Sequence, residues 1–65
     1  MQFRIQNMTC GGCARSVTKA IQLVDPAATV TADLPNRIVH VTSDQPQAEF
    51  ERALATAGFP AVSAA

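Results

Sequence analysis

The sequence contains no Trp and no Tyr, and its only aromatic residues are three Phe among 65 residues. Surfaces for stacking nucleobases are therefore scarce. Five Lys plus Arg against five Asp plus Glu leave no cationic excess to hold a polyanion, so nucleic acid is not an expected partner. No apolar run approaches the roughly 18 residues needed to cross a bilayer, so no membrane insertion is expected. The N-terminus lacks a basic segment followed by a hydrophobic run, and no secretory signal is expected either. Two cysteines are too few for the multi-bridge framework of a small secreted fold. A cytoplasmic, reducing setting with free thiols fits these absences. So short a chain is expected to form one domain, 1–65, burying only about 60% of its unfolded surface and leaving no room for a deep substrate cavity.

Against this background, the hexapeptide Met8-Thr9-Cys10-Gly11-Gly12-Cys13 carries most of the chemical information. It holds both cysteines, three positions apart, with only glycines between them. A pair of thiolates at that spacing can close on one metal ion or on each other.

The surrounding residues divide into short elements. Phe3 and Ile5 alternate with Gln2, Arg4 and Gln6, the period of a half-buried strand. Cys13, Val17, Ala20, Ile21 and Val24 recur at helical spacing, predicting an amphipathic helix of about three turns that ends at Asp25-Pro26. Val30, Ala32 and Leu34 mark a second strand, Pro35-Asn36 a turn, and Val39 and Val41 a third strand. Ser43 to Pro46 is expected to cap a second helix with the apolar stripe Phe50, Ala53, Leu54 and Ala57, ended by Gly58. Pro60 to Ser63 is read as a short edge strand. The order βαββαβ predicts a ferredoxin-like α+β fold, with two helices on one face of a four-stranded antiparallel sheet. The expected core is Phe3, Ile5, Val17, Ile21, Val30, Leu34, Val39, Val41, Phe50 and Leu54, together with Val62.

Cys13 is expected in the first turn of helix 1, where unpaired N–H groups and the helix dipole favour an anion. Thiol pKa values fall at helix N-termini. No acidic residue precedes Asp25, so Arg4, Arg15 and Lys19 give the first 24 residues a charge of +3, and the remainder carries −3. Gly11 and Gly12 are expected to let the loop turn both sulfurs to one side. Two thiolates without a third nearby ligand favour soft Cu(I), because structural zinc prefers four protein ligands. Zinc and a soft ion such as mercury remain as alternatives. Met8 is read as core filler beneath the loop, with weak ligation as the competing role. His40 falls on the solvent face of the third strand.

The hexapeptide on this element order resembles the heavy-metal-associated domain of copper chaperones and of the N-terminal tails of copper-transporting P-type ATPases. The resemblance covers essentially the whole chain, including Asp33-Leu34-Pro35-Asn36 and Gly58-Phe59. Asn7 departs from it, standing where the family commonly has glycine. The resemblance implies Cu(I) held by Cys10 and Cys13, with Met8, Thr9 and Phe59 around them. It also implies transfer by ligand exchange to a CxxC domain of a copper ATPase. Phe59 stands where soluble chaperones often carry Tyr, His or Lys and ATPase domains often carry Phe. Arg15 and Lys19 are the candidate docking residues. A monomer is expected without metal, with a tendency to form a copper-bridged homodimer. The reading from another class is a thiol–disulfide redox module. The short chain and the diglycine between the sulfurs argue against that reading.

Overall fold

The computed structural model describes residues 1–64 and contains six elements. They are β1 (Gln2–Arg4), α1 (Gly11–Val24), β2 (Thr29–Asp33), β3 (Ile38–Thr42), α2 (Gln47–Thr56) and β4 (Val62–Ser63). The strands form one antiparallel sheet in the order β2-β3-β1-β4, the ferredoxin-like arrangement expected from the element order. Phe3 faces Val39 across the β1–β3 ladder, and Val30 faces Val41 across β2–β3.

Alternation places Phe3, Ile5, Val39 and Val41 on the face covered by the helices, where all are buried. They meet Val17, Ala20 and Ile21 of α1 and Phe50 and Leu54 of α2. The Phe3 and Phe50 rings pack at a tilt of 53°, with centroids 6.5 Å apart, joining sheet to helix at the centre of the core. Met8 and Ala28 complete the buried set.

Several expectations require correction. Val62 lies outside the core at 67% exposure, because its register with Arg4 turns it to the open face of the sheet. Val30 is only half-buried, since β2 is an edge strand with a single neighbour, and half-buried Leu34 lies beyond β2 in the turn to β3. The last strand spans Val62–Ser63 and does not begin at Pro60. Helix α1 is 14 residues long, closer to four turns than three, because it begins at Gly11. Pro46 is the N-cap of α2, and no side chain caps that end. The Ser43 hydroxyl instead accepts from the N–H of Gln45.

Two terminations follow the sequence signals. Asp25, before Pro26, is extended at φ −143° and ψ 100°. Gly58 adopts φ +89° after α2, a conformation that costs glycine least. Met1 and Ala64 lie at the same end of the sheet. Met1 exchanges two hydrogen bonds with Val41, and the N–H of Ala64 donates to O of Gln2.

Candidate metal centre

The antiparallel ladders bring three connections to one end of the sheet. They are the β1–α1 loop with the cysteines, the β2–β3 turn, and the connection from α2 to β4. Ile5 N–H donates to O of Arg37 at 2.9 Å, tying the first of these to the second. The Arg37 guanidinium donates to O of Gln6, and the Asn7 side-chain amide donates to O of Gly58.

Met8 is fully buried beneath the loop, so it packs as core filler. Chain direction then reverses into solvent through exposed Thr9 and Cys10. Cys10 is the N-cap of α1, extended at φ −150° and ψ 171°, and its carbonyl accepts from the N–H of Ala14. Cys13 lies in the first turn, half-buried against the core. Cys10 is therefore the more exposed residue of the pair, and Cys13 is partly packed against the core.

The two Sγ atoms are 3.2 Å apart, well beyond the roughly 2.05 Å of a disulfide, and both cysteines are free. The Cys13 thiol is held below its ordinary pKa first by the hydrogen bond from Cys10. The backbone of Thr9 adds to this, partial desolvation opposes it, and the Cys10 backbone and the Thr9 side chain lower it further. Helix α1 has no acidic residue in its first turn to oppose a thiolate. Metal–thiolate bonds near 2.3 Å would place two sulfurs on opposite sides of an ion about 4.6 Å apart. The pair at 3.2 Å must widen to reach that span, and Cys10 is the more exposed of the two residues.

Among the described residues, no group of three or more His, Cys, Asp or Glu side chains could hold a metal ion. The pair thus offers two soft sulfurs and an open side. His40 is exposed on β3 in register with Gln2 and Thr31, a strand's length from the cysteines. Phe59 is half-buried, packed against the core, with its N–H on O of Leu54 at 2.8 Å. Arg15 and Lys19 are exposed on α1, one turn apart.

The glycines contribute differently from the sequence expectation. Gly11 and Gly12 both lie inside α1, and neither has positive φ. A Cβ at Gly11 would meet nothing within 4 Å, and one at Gly12 would sit 3.9 Å from Cys10 Sγ. Extra dihedral freedom is therefore not what brings the sulfurs together. Helix geometry does so, because the N-cap and the third helical residue are neighbours on one turn. Sequence reasoning missed Arg37 and gave Asn7 no structural role. The usable signal at Arg37 was the Pro35-Asn36 turn, which forces the following residue to φ 56°.

A family model described as the heavy-metal-associated domain matches residues 2–60. A search of curated protein sequences finds no match. Among solved structures, a gold binding protein is 46% identical with a TM-score of 0.91, covering 94% of each chain. The copper chaperone Atx1 from Synechocystis PCC6803, in a trimeric Cu1 form carrying a His61Tyr change, is 35% identical. Its TM-score is 0.91, and the match covers 95% of this chain and 98% of that one. Oxidized MerP from Ralstonia metallidurans CH34 is 28% identical with a TM-score of 0.88, covering 98% and 93%.

Proposed function

The chain belongs to the heavy-metal-associated domain family, and on that premise we propose that it is a Cu(I) metallochaperone working in the cytoplasm. It carries one Cu(I) on Cys10 and Cys13 and passes the ion by thiolate exchange to a CxxC domain in the N-terminal tail of a copper-transporting P-type ATPase. The observation that carries this reading is the placement of two free, adjacent sulfurs at an exposed helix start.

Each part of the geometry supports a step of the transfer. The helix start and the lowered Cys13 thiol favour the anionic ligand that a soft cation requires. Two-coordinate Cu(I) leaves a direction open at Cys10, from which a partner thiolate can enter before either original bond is lost. The ion would then be shared among three sulfurs, and release of one carrier thiolate after the partner's bond has formed restores two-coordination. No redox change is needed. Thr9 orients Cys13 through its backbone and hydroxyl, Met8 fixes the loop from below, and Phe59 shields the inner side. The same open side accounts for a copper-bridged homodimer of a protein that is monomeric without metal. Arg15 and Lys19 steer a partner bearing acidic residues beside its own cysteines.

Competition titration against a Cu(I)-specific chelator under reducing conditions tests the assignment. The expected result is one tight Cu(I) per monomer, lost in Cys10→Ser and in Cys13→Ser with the fold retained. Tight binding by the double variant overturns it. The 46% identity to a gold binding protein favours a second reading, a gold ion as cargo on the same sulfurs. Displacement of bound Cu(I) by equimolar Au(I), read as release of Cu(I) to the chelator, selects that reading. Brisk reduction of a protein disulfide would instead select the redox module.

A further inference from the structure

The turn that leads from β1 into the cysteines is held from two sides by side chains. Met8 N–H donates to O of Ile5 at 3.1 Å, closing a four-residue turn with Gln6 and Asn7 at its centre. Arg37 Nη1 donates to O of Gln6 at 3.3 Å, from the β2–β3 turn. Asn7 Nδ2 donates to O of Gly58 at 3.3 Å, across 51 residues of sequence, at the end of α2. Gln6 and Asn7 also face Pro60 and Val62 across one surface hollow, so the two connections lie side by side.

The Asn7–Gly58 bond joins two parts of the site that, among the described residues, no backbone hydrogen bond connects. On one side the chain runs through buried Met8 and exposed Thr9 to Cys10 within three residues. On the other, Gly58 at φ +89° precedes Phe59, whose N–H bonds to O of Leu54 and whose side chain packs on the core. Among the described residues, Arg37 alone of the non-glycine residues has positive φ. Asn7 thus has an ordinary backbone, and a glycine there would make the same turn while losing the amide donor.

We infer that Asn7 is a positioning residue of the cysteine loop. Its side-chain amide couples the turn entering the loop to the Gly58–Phe59 turn and restrains the loop's outward motion during metal exchange. This rests on the Cu(I) reading for its functional consequence and on the hydrogen bond alone for its structural one. A bond present both with and without metal leaves equilibrium affinity unchanged. It slows exchange, because Cys10 must move toward the acceptor while the turn behind it is held. The effect on rate is about two- to tenfold, the range that one net hydrogen bond spans.

Two variants test the coupling. Asn7→Asp keeps the size and turn preference but has no donor when ionised, and Asn7→Gly removes the side chain without adding charge. In metal-free protein, amide hydrogen exchange at Phe59 should accelerate in both variants by more than the small fall in global stability, read from the urea midpoint, accounts for. With Cu(I) loaded, transfer to a chelator should quicken about two- to tenfold in both, at unchanged Cu(I) affinity. Wild-type exchange at Phe59 in both variants overturns the coupling, and wild-type transfer rates overturn its control of exchange. A wild-type protein that binds no Cu(I) overturns the proposed function, and the metal-free measurement then decides the coupling by itself.

Discussion

The hydroxyl of Ser43 donates to Oδ2 of Asp25, joining the residue after β3 to the residue that ends α1. The other carboxylate oxygen of Asp25 accepts from the N–H of Ala27 at 3.0 Å. One side chain thus organises the α1–β2 connection and fastens it to the neighbouring strand end. Hydrogen bonds to charged groups contribute more than neutral ones. Ser43→Ala should therefore lower stability by about 1 kcal/mol, and Asp25→Ala by about 2–3 kcal/mol. Urea unfolding of both single variants and the double variant checks this. The double variant should fall short of the sum, because the two changes remove a shared bond.

The Cys13 thiol should report its neighbour through its pH dependence. Its largest downward influence is the hydrogen bond from Cys10. Cys10→Ala removes that donor, and Cys10→Ser retains a hydroxyl in its place. Each variant has a single thiol, so alkylation rate against pH reads Cys13 alone. The midpoint should lie at lower pH in Cys10→Ser than in Cys10→Ala. The sign for folding follows from the same direction. A thiol pKa lowered in the folded state adds stability above the unfolded value, and that contribution is lost as pH falls through the folded value. Identical midpoints in the two variants would remove Cys10 as the cause.

Charge beside the site should govern encounter more than affinity. Arg15 and Lys19 are exposed one turn apart in a segment with no acids. Arg15→Glu combined with Lys19→Glu should slow copper transfer to an acidic CxxC partner by about tenfold or more at low salt. It should also remove most of the salt dependence, since the steering field is screened over about 10 Å at 0.1 M. Cu(I) affinity should change little. Stopped-flow transfer at two ionic strengths makes the comparison, and an unaltered rate would reduce the pair to a solvated helix face.

Gly11 should be replaceable at a gain. It is helical, lacks positive φ, and has open space where a Cβ would stand. Gly11→Ala should raise stability by up to about 1 kcal/mol through helix propensity and the reduced freedom of the unfolded chain. Thermal or urea unfolding reads it, and a loss of stability would show that the first turn of α1 needs glycine's freedom.

The periodic elements were legible because burial alone explains them. Phe3 and Ile5 alternate, and Val17 and Ile21 share a helical face, so period and core agree. Edges were less legible. Val30 and Val62 have the same apolar character as the true core, and only the sheet order reveals that their strands have one neighbour each. The cysteine pair was visible from spacing, but its tethers were not. Arg37 reaches the loop entry from 31 residues away in sequence, and Asn7 reaches out from it to Gly58, 51 residues away. Ser43 shows the same limit from the other direction. Its residue type suggested a helix cap, but its oxygen accepts from the N–H of Gln45 ahead of the helix while its O–H donates to Asp25.

Met1 and Ala64 both pair at the end of the sheet opposite the cysteine turn. Five residues of extended chain, about 17 Å, separate Met1 from Gln6 at the loop entry. A sensor built by anchoring this protein to an electrode or a bead through a tag at either terminus would therefore present its sulfurs away from the support. Two such units joined end to end would keep both thiol pairs free to face a third molecule.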